Sequence, residues 1–195
     1  IQSACMKNIL LLIFLSFFVV SISAQYEYEP SMQNPFGKLN PAAYPQTADF
    51  EPLIGVSECI SESRAADGSW NSEVNMLWKW KYIMNGMAVQ DETLKEDGLH
   101  SGSIRQFNAD SSKWYVHYYA SASASPALPV WEGSKVEENK IVLYRRQAAP
   151  NGTDGYYRLT FYEITDESFN WVGEWVDLGE TFSYPTWKIS CIKQK

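Results

Sequence analysis

The residues of this chain that could do chemistry are few. Two histidines occur, His100 and His117, and neither has a second histidine or a cysteine at metal-ligand spacing. No metal and no cofactor are expected. The chain has no Gly-x-Ser-x-Gly, no His-Glu-x-x-His and no glycine-rich phosphate loop. Glu163 and Glu174 fall on neighbouring expected strands and could form a carboxylate pair of the kind glycosidases use. Solvation, or pairing with arginine, is the commoner fate of such groups. The serines of Ser121-Ala-Ser-Ala-Ser125-Pro126 have no base near them in sequence, so this segment reads as a connector or portal. Arg105 has the same parity as Phe107; in a strand it would face inward, where it could pair with a ligand carboxylate. No catalytic set is expected.

The aromatic residues are the stronger feature. They make up 15% of the 195 residues, with eight Trp and twelve Tyr, which excludes disordered, collagenous and coiled-coil classes. A net charge of −7 makes nucleic acid an unexpected partner. Trp78, Trp80, Trp114, Tyr118, Trp171 and Trp175, with Arg105, are the candidates for a pocket wall. Aromatic walls with a few polar groups are the usual make-up of small-molecule sites. The same side chains could instead fill the interior solidly. Tyr115, Tyr119, Tyr156 and Tyr162 have the opposite parity and could stack on a sugar or a protein, unless the leader covers them. His117 has the parity opposite to Trp114 and Tyr118, so it faces outward rather than serving as an axial haem ligand.

These positions require strands. From Trp70 to Tyr82 one parity holds Trp70, Ser72, Val74, Met76, Trp78, Trp80 and Tyr82, while the other, mostly polar, holds Asn71, Glu73, Asn75, Leu77, Lys79, Lys81 and Ile83. Asn85-Gly86 predicts a type I′ hairpin into Met87–Leu94. Alternation recurs in the Trp114–Tyr118, Tyr157–Phe161 and Phe169–Trp175 regions, and Leu53–Ser61, Ser101–Phe107, Val130–Val136, Ile141–Arg146 and Thr181–Ile192 read as further strands between turns. About ten short strands joined by turns predict an all-β domain, a single antiparallel up-and-down barrel, with a sandwich as the alternative. Closure would bring the first strand, with Cys59, beside the last, with Cys191. The two cysteines would form a disulfide, or remain two buried thiols.

The chain ahead of the barrel divides in two. Lys7 after Met6, the apolar run Ile9–Val20 and Ser21-Ile22-Ser23-Ala24 match a secretory signal peptide over residues 1–24. The apolar run, about 12 residues, is shorter than the ~20 that span a bilayer, so no stable membrane span is expected after cleavage. Residues 1–5 precede a natural start and read as an upstream artefact. The protein is expected to be exported, periplasmic or secreted. Residues 25–52 carry five prolines and read as a leader arm wrapping the domain, with the barrel over 53–195.

Three segments also carry a resemblance. Gly102-Ser-Ile-Arg105-Gln-Phe107-Asn with Lys113-Trp114-Tyr-Val, Tyr157 through Trp171 followed by Glu174, and Trp187-Lys-Ile-Ser-Cys191 resemble a bacterial secreted domain family of unknown function. The resemblance covers roughly Phe50 to Lys195 and implies a lipocalin-like (calycin-type) β-barrel. The first strand has Gly55-Val-Ser57 where many lipocalin-type chains have Gly-x-Trp, which points to a looser calycin-like barrel. The expected function is non-catalytic binding of a small apolar or amphipathic ligand. The alternatives are an enzyme acting at the barrel mouth through Arg105, Glu163 or Glu174, and a surface-recognition module. Oligomeric state is left open.

Overall fold

The alternating stretches form ten antiparallel strands in the computed structural model, which describes residues 26–195. The expected signal peptide lies outside the described residues. The strands are β1 (Gly55–Ser63), β2 (Val74–Ile83), β3 (Ala88–Lys95), β4 (Ser101–Asn108) and β5 (Lys113–Ala120). They continue with β6 (Val130–Glu137), β7 (Lys140–Arg146), β8 (Gly155–Tyr162), β9 (Ser168–Asp177) and β10 (Ser183–Lys193). Each pairs with its neighbours in sequence, and β1 pairs with β10, giving a closed up-and-down barrel of calycin-like architecture. Closure removes the sheet edges that so aromatic a chain would otherwise expose. β2 shows the cause locally: Met76, Trp78, Trp80 and Tyr82 are buried while Leu77, Lys79, Lys81 and Ile83 alternate with them at partial exposure.

The seam is covalently fastened. Cys59 lies directly opposite Cys191 in the β1–β10 register, the two Cα atoms are 4.1 Å apart, and a disulfide joins them. Both are buried inside the barrel. In β10 the register shifts between Pro185 and Trp187. Proline has no N–H for the ladder, so an irregularity here is the natural place for it. Trp187, opposite inward-facing Gly173, keeps the inward parity of Ile189 and Cys191, and the shift leaves Pro185 opposite outward-facing Glu174.

The leader does more than wrap. Residues 45–53 form a 3₁₀ helix (Pro45–Leu53) that begins with a proline already set at a helical φ. Phe50 and Leu53 are fully buried. The Phe50 ring lies 5.7 Å from Trp80, 4.9 Å from Trp114 and 5.9 Å from Phe161. The Trp114 indole N–H donates to Asp49 at 3.0 Å. Burial pushes the Asp49 carboxyl above its ordinary value, against that hydrogen bond. The helix thus stoppers one end of the barrel, and its core residues lie on both sides of the expected boundary at residue 53.

The segment ahead of the helix is pinned to the β2–β3 loop. That loop differs from a two-residue type I′ turn. Ile83 pairs with Ala88, and Met84, Asn85 and Gly86 all have positive φ, at 54°, 53° and 78°. The reason is tertiary. The Asn85 carbonyl accepts from Asn40 Nδ2 at 3.0 Å, its side chain accepts from the Tyr28 N–H at 3.1 Å, and its N–H donates to Glu29. A Cβ on Gly86 would come within 2.3 Å of the Lys38 carbonyl oxygen. Trp70, expected in β2, instead lies beside Arg64 across an isolated bridge, with the Arg64 and Lys188 cations over its ring at 4.5 and 4.6 Å.

The connections at the stoppered end are short: 84–87, 109–112, 138–139 and 163–167. Those at the opposite end include the longer segments 64–73, 121–129 and 147–154. Among the described residues no helix is long and apolar enough to cross a membrane.

Candidate ligand cavity

The half of the barrel away from the helix contains a cavity of about 190 Å³. Its floor is where the solid half ends. Arg105 stands there with its guanidinium 4.3 Å from the Trp80 ring and 5.1 Å from Phe50. That is favourable cation–π geometry in a desolvated place. The charge is met by Asp91, which forms a buried ion pair with Arg105 Nη1. Asp91 also accepts from Trp78 Nε1 at 2.7 Å and from Ser103 Oγ at 2.6 Å. A buried carboxylate with this many donors is well compensated. Arg105 Nε is buried and has no hydrogen-bond partner among the described residues.

The walls have two characters. On the β3–β4 side are Asp91, Thr93, Ser101, Ser103 and Arg105. Thr93 Oγ1 and Ser101 Oγ are 2.7 Å apart, and the Ser101 N–H donates to Thr93 Oγ1 at 3.1 Å. The facing side is built from Trp131, Tyr157, Leu159, Trp171, Trp187 and Ile189. Their polar atoms are largely engaged outside the cavity. Trp131 Nε1 donates to the Tyr157 carbonyl at 3.1 Å, Trp187 Nε1 to Ser61 Oγ at 2.8 Å, and Tyr157 Oη lies 2.7 Å from Thr186 Oγ1. What Trp131, Tyr157 and Trp187 present inward is therefore ring surface. Burial raises the Tyr157 phenol above its ordinary value, so it stays neutral. Gly173 makes room for this wall, since a Cβ there would meet the Tyr157 hydroxyl and the Trp171 ring, each at 2.7 Å.

Of the seven residues expected to line a pocket, Trp78, Arg105, Tyr118 and Trp171 line this cavity. Trp80 and Trp114 are fully buried against Phe50, in the packed half. Trp175 has inward parity but sits at the strand end, its indole N–H donating to the Gln147 carbonyl at 3.0 Å and its ring beside Phe182. Arg105 does face inward, but Asp91 occupies the role expected for a ligand carboxylate. Asp91, Thr93, Ser101, Ser103, Trp131, Tyr157 and Trp187 were not among the candidates. A signal for the pair was present: Asp91 shares parity with Val89, and Arg105 with Phe107, on consecutive strands. An inward acid beside an inward base reads as a buried pair.

The two carboxylates expected at the mouth do not pair there, and Glu163 lies in the 163–167 connection at the stoppered end. Glu174 is on the outer face, held by Arg158 at 2.9 Å. Glu163 accepts from Asn170 Nδ2 at 2.6 Å in the β8–β9 turn. Tyr115, Tyr119, Tyr156 and Tyr162 are half-buried on the outer face. Tyr119 accepts from Gln90 and covers Gly102, and Tyr156 packs 5.8 Å from Tyr144. The leader segment docks on the β2–β3 loop.

No protein-family model matches the chain, and no curated protein sequence matches it. Solved structures similar to it include two at low identity. One is Rv2717c from M. tuberculosis, at 10% identity and a TM-score of 0.49, covering 78% of this chain and 99% of that one. The other is the S-type phycobiliprotein lyase CPES from Guillardia theta, at 11% identity and a TM-score of 0.47, covering 75% of this chain and 90% of that one.

Proposed function

We propose that the barrel binds a small, mainly apolar molecule without transforming it. The observation that carries this is the cavity of about 190 Å³, with aromatic rings on one side and hydroxyls with a neutralised ion pair on the other. Its volume sets the ligand's scale. Engineered apolar cavities of about 150 Å³ take up benzene. One aromatic ring with a short substituent fits here, whereas a long-chain lipid does not. Residues 1–24 act in this reading as an export signal, and the chain is an exported barrel of the bacterial secreted domain family it resembles. N-terminal sequencing of protein recovered from the periplasm or medium tests that part, with Gln25 as the expected first residue.

Binding is tested by titrating phenol against intrinsic fluorescence, since Trp78, Trp131, Trp171 and Trp187 all line the cavity. A saturable change with a Kd of about 0.1–1 mM is expected for a ligand of this size. Ile189→Phe, which adds a ring to the wall, should weaken it at least about tenfold. A linear response indifferent to that substitution would sink the proposal.

A further inference from the structure

The charged residues among those lining the cavity are Asp91 and Arg105, and they are bound to each other. Both side chains are almost completely buried, at 4% and 3% exposure. The pair brings no net charge to the floor, yet Arg105 Nε is left as a donor without a partner. Resting on the binding reading above, we propose that the cavity selects uncharged aromatic molecules bearing a hydrogen-bond acceptor and rejects carboxylates of the same shape, with Asp91 as the selecting residue.

The selection is electrostatic. A carboxylate entering this half of the barrel would lose its hydration. Its attraction to Arg105 would be offset by repulsion from Asp91 at similar range, because the two partners are in direct contact. Two carboxylates sharing one cation in a dry site leave one charge uncompensated. An amide or hydroxyl oxygen carries no such penalty and can still accept from the arginine. Ser103 and Trp78 hold Asp91 as an acceptor from two further sides, so the carboxylate cannot readily turn away. Ser101 and Thr93, higher on the same wall, already satisfy each other.

Benzamide and benzoate test this, since they share a shape and differ in charge at pH 7. Calorimetric or fluorescence titration of the wild-type protein should give benzamide at least tenfold tighter binding than benzoate. In Asp91→Asn, where Arg105 becomes the unmatched charge, the order should reverse. Near-UV circular dichroism checks that the variant is folded, and the wild-type comparison stands whether or not it is. Benzoate binding as tightly as benzamide to the wild type would overturn the inference alone, as would phenol saturating while benzamide does not. Failure of all three molecules to bind would take the binding reading down with it.

Discussion

Reducing the Cys59–Cys191 disulfide should cost this barrel more than any single side chain does. The bond joins positions 132 residues apart in sequence. In the chain-entropy model a closed loop of that length removes about 17 cal/mol/K from the unfolded ensemble, or roughly 5 kcal/mol at 25 °C. With a urea m-value of about 2.5 kcal/mol/M for a chain of this size, the midpoint should fall by about 2 M. The assay is urea unfolding followed by tryptophan fluorescence. It compares oxidised protein with protein unfolded in reductant and refolded under reducing conditions. The m-value should rise, because the uncrosslinked unfolded chain exposes more surface. Cys59→Ala with Cys191→Ala should behave like the reduced protein, with a further loss for two buried sulfurs. A stability difference under about 1 kcal/mol would refute the reasoning. It would mean that β1 and β10 stay associated in the unfolded chain, so the bond constrains nothing that was free.

Other outcomes follow from the packing and the burial. Phe50→Ala should lose about 3–5 kcal/mol in thermal or urea unfolding, because its ring touches three others in the stoppered end; a loss below about 1 kcal/mol would remove the 3₁₀ helix from the core. Gly86→Val should release the leader, since φ is 78° and a Cβ would meet Lys38. Limited proteolysis should then cut within residues 26–44 faster than in the wild type, and equal rates would contradict the docking. Tyr82 and Tyr157 bear on alkaline stability. Burial raises both phenols above the ordinary value of 10.0. Their stabilising contribution is therefore complete below about pH 10 and is lost as pH rises toward the folded values, because the unfolded chain ionises first. Absorbance at the phenolate band should show these tyrosines ionising only together with unfolding, and gradual ionisation of all tyrosines in folded protein would count against their burial.

The barrel was readable because alternation is a local property. Trp78, Trp80 and Tyr82 against Lys79 and Lys81 fix the faces of β2 without knowledge of its partners. The turns made neighbouring strands readable as a meander, but closure rather than a sandwich is decided by the β1–β10 pairing, which is not local. The stopper was not readable, because Phe50 lies between Asp49 and Glu51 in a proline-rich stretch with no period, and only the open barrel end gives it somewhere to go. The type I′ expectation at Asn85-Gly86 failed for a similar reason, since the leader's hydrogen bonds decide the loop's shape. In the cavity, parity separated inside from outside but could not give height along the barrel axis. Trp80 and Trp114 share a parity with Trp78 and Tyr118, respectively, yet lie in the packed half. Trp187 shares the parity of Ile189 and Cys191, so alternation read backward from Cys191 places it inside, and the irregularity after Pro185 alters only the facing of the residues before it.

The 3₁₀ helix also sets how any occupant of the cavity is exchanged. A tube stoppered at one end has a single route for arrival and departure, past the long loops at the other. With room for about one ring, a second molecule cannot push through behind the first. Under the proposed binding, turnover would be governed by how fast the resident leaves, and adding more competitor would change who arrives next without hastening the departure.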